Sequence, residues 1–129
     1  MARINRFEDL EAWKLARSIT KDVYFVANKG AFRRDFGLRD QICRCSVSVM
    51  SNIAEGFERD GDREFVNFLS IAKGSSGELR SHLYVALDQN YISETEFSTI
   101  YERADQNSRV IAGLMNYLKD SEFRGLKYK

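Results

Sequence analysis

The residues in this sequence that could support catalysis or metal binding are one histidine and two cysteines. His82 follows Glu78 by four residues, whereas a di-iron bundle uses a Glu-x-x-His pair on each of two helices. Cys43 and Cys45 point to different faces of a helix, and no nearby histidine could activate a thiolate. We interpret these residues as structural and predict no catalytic residue, metal or cofactor. A small enzyme that uses His82, Glu78 or Cys45 is the least favoured alternative.

The Gly-x-x-Gly motif from Gly74 to Gly77 is a short match to loops that bind RNA in some proteins. Those loops belong to mixed α/β domains and have basic neighbours. Here the motif lies inside a helical pattern whose apolar stripe keeps its phase on both sides. Each glycine costs a helix about 1 kcal/mol relative to alanine, so we expect these small residues to permit close approach of another helix.

Arginines lie at both ends of the second predicted helix, where they could bind phosphate through their planar guanidinium groups. Acidic residues are interleaved with them, so a solvated surface with salt bridges is the competing interpretation. The candidate contacts with nucleic acid or a partner are Arg33, Arg34, Arg39 and Arg44 at the start of the helix, and Arg59 and Arg63 at its end.

The composition favours a single all-α domain. The 129 residues include no proline, which helix interiors exclude and which sheet proteins use in turns. The formal net charge is only +1, which is weak evidence against a dedicated nucleic-acid binder. No apolar run approaches the ~20 residues of a membrane span, and no secretion segment is visible. We therefore expect a cytoplasmic protein without membrane association, and no small-molecule substrate is evident.

Hydrophobic periodicity predicts four amphipathic helices in one domain, 1–129. The predicted ranges are 8–29, 38–58, 62–89 and 94–119, followed by a loose basic tail at 121–129. Ser93 and Glu96 form a capping box at the fourth helix, and Phe32 and Phe36 are expected to close one end of the bundle. Because the links are short, we predict an antiparallel up-down-up-down four-helix bundle.

The second helix is the centre of the predicted bundle. The stretch from Cys45 to Ala54 carries no charge, and its apolar side chains follow two seams. A helix that is apolar nearly all round is buried on most sides. We therefore expect its own chain to cover one side and another subunit to cover the other. Asn52, Glu55 and Glu78 lie beside the seams and are interpreted as interhelical hydrogen-bonding residues that fix register.

Several motifs spread over most of the chain carry a family resemblance. They are Phe7-Glu8-Asp9-Leu10, Trp13, Ser51-Asn52-Ile53-Ala54-Glu55-Gly56, Gly74-Ser75 and Glu78-Leu79. This set resembles the 23S rRNA intervening-sequence protein family of bacterial four-helix bundles. It is also similar to the accessory variability determinant of diversity-generating retroelements, which is strongly basic and associates with a reverse transcriptase and nucleic acid. The resemblance implies a homopentameric ring of bundles and transfers no catalytic residue.

Two functions stay open on these observations. The first is a non-enzymatic, ring-forming bundle that acts as a binding scaffold for RNA, DNA or a nucleic-acid enzyme. The second is a structural or protein-interaction oligomer that binds no nucleic acid. A continuous positive surface would favour the first function, and a mosaic of charges would favour the second.

Overall fold

The protein is described by a computed structural model that covers the backbone of residues 4–128 and the side chains of residues 4–120. Within those residues it contains four α-helices and no strand, which confirms the all-α prediction. Successive helices pack against each other, and α1 also packs against α4. The helices are α1 Glu11–Ala27, α2 Phe36–Glu58, α3 Asp62–Asp88 and α4 Glu94–Tyr128, and short 3-10 turns at Phe7–Asp9 and Phe32–Arg34 precede α1 and α2.

Side chains cap the starts of α2 and α4. The Asp35 carboxylate accepts a hydrogen bond from the Leu38 N–H at 3.1 Å, so α2 begins at Phe36. The predicted capping box is present, because the Glu96 N–H donates to the Ser93 hydroxyl at 3.0 Å and the Ser93 N–H donates to the Glu96 carboxylate at 2.9 Å. The bond from the Ser93 N–H lowers the pKa of Glu96.

Two helix boundaries differ from the predicted ones by three residues or more. The backbone of α4 stays helical to Tyr128, so the predicted loose tail at 121–129 is wrong as far as that residue. No proline interrupts the segment. The first helix begins only at Glu11, because Leu10 has extended backbone geometry. Residues 1–3 and 129 lie outside the described part of the chain.

Buried side chains form two hydrophobic clusters, one toward each end of the bundle, and all four helices contribute to each cluster. Ile42 and Leu83 belong to the first cluster, and Ile53 and Leu69 belong to the second. Between the clusters every helix contributes buried polar side chains, which we call the polar layer. Its members are Thr20 on α1, Ser46 on α2, Ser76 on α3, and Asn107 and Ser108 on α4.

The polar layer links neighbouring helices through side-chain to backbone hydrogen bonds. The Thr20 hydroxyl lies 3.2 Å from the Ser46 carbonyl oxygen, which connects α1 to α2. The Ser76 hydroxyl donates to the Ala104 carbonyl oxygen at 3.2 Å, which connects α3 to α4. A satisfied bond of this kind contributes about 1 kcal/mol, and sliding either helix would leave buried polar atoms without partners. These residues therefore fix the helix register.

Gly56 permits the closest approach of α2 to α3. A Cβ at this position would lie 2.6 Å from the Phe68 Cβ and 3.0 Å from the Phe65 Cδ1. Gly113 on α4 has no such neighbour within 4 Å. The sequence prediction assigned close packing to Gly74, yet Gly74 likewise has open space around it within the protomer.

Gly56→Ala is expected to lower the free energy of unfolding by about 2 kcal/mol, because overpacking outweighs the gain in helix propensity. Gly113→Ala is the matched control and should raise stability by up to about 1 kcal/mol. Urea denaturation followed by circular dichroism measures both changes. Equal stabilisation by the two alanines would show that α2 and α3 do not pack closely at Gly56.

Candidate nucleic-acid interface

The four arginines at the start of α2 line a furrow between α1 and α2. The furrow has two neighbouring hollows of about 540 and 550 Å³, and Asn28 and Arg39 line both of them. We call this surface the α1–α2 furrow. The first hollow also contains Gly30, Arg33, Arg34 and Phe36, and the second contains Tyr24, Asp40, Cys43, Arg44 and Val47.

Helical spacing places these side chains on facing sides of the two helices. Phe36 and Arg39 are three residues apart on α2, and Arg44 and Val47 repeat that interval about two turns further along. Tyr24 and Asn28 are four residues apart on α1. Residues at these intervals are neighbours on a helix surface, so each helix forms one wall of the furrow.

The furrow is more positive than the whole chain, because three of its four arginines have no acidic partner within the described part of the chain. Arg39 pairs with Asp40 at 3.5 Å and also donates to the Arg33 carbonyl oxygen at 3.2 Å. Among residues with described side chains, Arg33, Arg34 and Arg44 form no ion pair. Three guanidinium groups therefore face solvent uncompensated.

The nearby Asp35 forms no ion pair with these arginines, because both oxygens of its carboxylate accept other hydrogen bonds. One oxygen caps α2, and the other accepts a hydrogen bond from the Tyr91 hydroxyl at 3.0 Å. That bond to Asp35 raises the pKa of Tyr91. Asp35 is one of the acidic residues that favoured a surface of salt bridges in the sequence analysis, and it does not form a salt bridge with the furrow arginines.

Two exposed phenylalanine rings lie at this end of the molecule, each beside a cation. The Arg39 guanidinium lies 5.1 Å from the centroid of Phe36, and the Lys29 ammonium lies 4.3 Å from the centroid of Phe25. Phe36 is 64% exposed, which corrects the expectation that both Phe32 and Phe36 close the bundle. Only Phe32 does so, with 0% exposure.

The structure does not bring the other two candidate arginines into the furrow. Arg59 lies at the opposite end of α2, about 30 Å from Arg39 at 1.5 Å per helical residue. It pairs with Glu55 at 3.2 Å and lies over the Phe68 ring at 5.1 Å. Arg63 is exposed in the first turn of α3, close to Arg59 in the sequence. These two arginines form a separate group.

The cysteines and the histidine lie in surroundings that suit structural roles. Burial raises the pKa of Cys45 to about 12 and also raises the pKa of Cys43, so both thiols stay protonated at neutral pH. The Nε2 atom of His82 lies 3.5 Å from a carboxylate oxygen of Glu78. Among the described residues, no three His, Cys, Asp or Glu side chains cluster in a way that could hold a metal ion.

A second surface, on the outer side of α2 and α3, carries much of the family-like motif. The Ser48 and Ser75 hydroxyls are 2.9 Å apart and bridge the helices, and the Asn52 amide donates to the Ser48 carbonyl oxygen at 2.8 Å. Ile71 and Val85 are 53% and 43% exposed on the same side of α3. We define the α2–α3 face as Ser48, Ser51, Asn52, Glu55, Ile71, Gly74, Ser75, Glu78 and Val85.

The remaining motif residues lie inside the protomer or at its edge. Ile53 and Gly56 are buried, and Ala54 is half-buried. Trp13 is half-buried, with its ring edge-on to Phe7 at 5.1 Å. Asn52, Glu55 and Glu78 do not form the predicted hydrogen bonds between helices. The Asn52 amide donates to the Ser48 carbonyl oxygen of its own helix. Glu55 and Glu78 are exposed, and they lie beside Arg59 and His82 respectively.

The protein is an all-α bundle. Its arginine-lined furrow and its exposed apolar residues lie on the surface of that bundle. The chain belongs to the 23S rRNA-intervening sequence protein family, whose model matches residues 8–113. It is similar to a crystal structure of a protein of unknown function from the S23 ribosomal protein family of Bacteroides thetaiotaomicron. That similarity has a TM-score of 0.75 and 18% identity and covers 81% of this chain and 95% of the other. No curated protein matches the chain.

The family match confirms the resemblance inferred from the sequence motifs. The structural similarity shows the shared fold alone, because the sequence identity is only 18%. Among the helices of the described residues, none has both the length and the apolar character that a membrane crossing requires.

Proposed function

We propose that this protein is a non-enzymatic, oligomeric four-helix bundle that binds nucleic acid through the α1–α2 furrow. The observation that carries the proposal is the convergence on one concave surface of Arg33, Arg34 and Arg44, none of which has an ion-pair partner among the described side chains. Clustered charge creates a local positive field for a polyanion even when the net charge is only +1. A nucleic-acid enzyme could join such a complex in a cytoplasmic setting.

The proposal predicts a steep dependence of binding on salt. Each phosphate contact releases condensed counterions, and the logarithm of the affinity for a single strand falls by about 0.7 per contact for each tenfold rise in salt. Four contacts therefore predict about 50-fold weaker binding at 200 mM than at 50 mM salt. Fluorescence anisotropy with labelled RNA and DNA oligonucleotides measures this change. A flat response, or no binding at the lower salt concentration, would contradict the proposal.

We propose that the α2–α3 face contacts further copies in a homopentameric ring of up-down-up-down bundles, the assembly that the resemblance implies. Ile71 and Val85 expose apolar surface there, and Gly74 leaves room for a close approach. A ring uses two different patches of each copy. The complementary patch in this proposal is the aromatic cluster on α3 and α4, in which the Tyr84 ring lies 4.9 Å from Phe97 and 5.5 Å from Tyr101.

Five copies of the 14.9 kDa chain predict a mass of about 75 kDa in solution. Ile71→Glu should reduce that mass to one chain while retaining helical circular dichroism, because a charge at the interface would lose its hydration. Tyr117→Glu is the control, since Tyr117 is exposed outside the α2–α3 face. Light scattering coupled to size-exclusion chromatography measures the masses. A monomeric wild-type protein would refute the ring and leave the furrow untouched.

The alternative function is a structural or protein-interaction oligomer that binds no nucleic acid. The exposed apolar residues of the α2–α3 face favour it independently of the furrow. It predicts a stable ring together with no detectable nucleic-acid binding at low salt. The salt titration and the mass measurement together separate the two functions.

A further inference from the structure

We infer that the α1–α2 furrow takes single-stranded rather than double-stranded nucleic acid, with bases stacked on Phe36 and Tyr24 and phosphates held by the arginines. This inference rests on the proposed function and narrows its ligand class. The supporting observation is that each of the two hollows contains both an aromatic ring and arginine side chains.

Phe36 is a large aromatic residue that the bundle core does not use. It is the first residue of α2 and is 64% exposed, while the neighbouring Asp35 caps the helix. The Arg39 guanidinium lies 5.1 Å from the ring centroid. An exposed ring beside a cation offers a flat surface for a base together with a charge for its phosphate.

The two hollows repeat this combination. In the first, Phe36 lies with Arg33 and Arg34, and in the second, Tyr24 lies with Arg44. Arg39 lines both hollows and lies between the two groups. A nucleic-acid strand likewise repeats a flat base and a negative phosphate, so its chemistry matches the repeated pairing of ring and guanidinium in the two hollows.

A duplex cannot use this arrangement, because its bases stack on one another and present only their edges in the grooves. It would retain the phosphate contacts and lose the contacts with the rings. Stacking of a base on an aromatic side chain contributes about 1–3 kcal/mol, equivalent to about 5- to 150-fold in affinity per base. Both RNA and DNA strands carry the required base and phosphate chemistry, so the test includes both.

The test uses the full-length protein at low salt with mixed-sequence 12-nucleotide RNA and DNA strands and with duplexes of the same length. Anisotropy reports affinity, and a 2-aminopurine base in the strand reports a change in stacking. The wild-type protein is expected to bind the strands at least about tenfold more tightly than the duplexes, with a change in 2-aminopurine emission. Equal affinity for strands and duplexes would overturn the inference.

The variant Phe36→Leu keeps an apolar side chain and removes the ring. It is expected to weaken binding of the strands by about tenfold, to leave duplex binding unchanged, and to reduce the 2-aminopurine signal. Phe25→Leu is the matched control, because Phe25 is 66% exposed and its ring does not line either hollow. Circular dichroism verifies that both variants are folded.

The possible outcomes separate this inference from the proposed function. Salt-dependent binding that Phe36→Leu does not weaken would refute base stacking and retain the phosphate-binding furrow. An equal loss in Phe36→Leu and Phe25→Leu would show that exposed rings contribute regardless of their position, and it would also refute the inference. No binding of any strand or duplex would refute the proposed function itself. A stronger response to RNA or to DNA would identify the source of the strand.

Discussion

Replacing Phe32 with alanine is expected to lower the free energy of unfolding by about 4 kcal/mol. The Phe32 ring is 0% exposed and stacks on Tyr91 with a centroid separation of 5.2 Å. It belongs to the cluster that also contains Ile42 and Leu83, so its removal would leave a cavity under the connection between α1 and α2. Thermal and urea denaturation of the purified variant measure the loss.

The neighbouring phenylalanine supplies the control for this prediction. Phe36→Ala changes the same residue type in the same connection, yet its ring is mostly exposed. We expect a change in stability within about 0.5 kcal/mol, as for other surface substitutions. Similar losses in the two variants would mean that both rings close the bundle, as the sequence suggested.

Removing three furrow arginines together is expected to weaken nucleic-acid binding by about 100- to 1,000-fold at 50 mM salt. The triple variant carries Arg33→Gln, Arg34→Gln and Arg44→Gln. Each lost phosphate contact removes the favourable release of counterions, so the effect grows as salt is lowered. Three fewer contacts should also reduce the slope of log affinity against log salt by about 2. Anisotropy titrations at several salt concentrations measure both quantities.

A charge-matched triple variant tests whether the position of the arginines matters. This control combines Arg6→Gln, Arg59→Gln and Arg109→Gln. It removes the same formal charge from residues outside the furrow. Each of these arginines pairs with an exposed acid at 3.0–3.2 Å, and exposed pairs contribute little to stability. Binding should fall by less than about tenfold. A loss equal to that of the furrow variant would show that net charge, rather than the furrow, governs binding.

The helices could be predicted because their signals are local. Apolar stripes at helical spacing and the Ser93–Glu96 capping box are each readable within one segment, and the structure confirms the box and the unbroken α3. The polar layer could not be predicted as a unit. Thr20, Ser46 and Ser76 each lie on an apolar stripe, but their meeting depends on how far each helix is displaced along the bundle axis.

The furrow was only partly visible in the sequence. The sequence marks Arg33, Arg34, Arg39 and Arg44 as a group at the start of α2, and the predicted helix already places Arg59 and Arg63 at its other end. The engagement of Asp35 with Tyr91 joins residues 56 positions apart, and no local pattern predicts it. The spacing of Phe36 with Arg39, and of Tyr24 with Asn28, was the available signal for the aromatic contribution.

The band of hydroxyl and amide groups across the middle of the bundle separates two apolar clusters, and we expect the two halves to open separately. Each half has its own apolar interior, so a fluctuation that loosens the arginine-bearing end need not melt the other end. Native-state amide exchange would then show two protection plateaus along each helix, with a step near Ser46 and Ser76. The bundle would behave as two cooperative units in series, and the end that meets a ligand could adjust its shape while its neighbour holds the helices together.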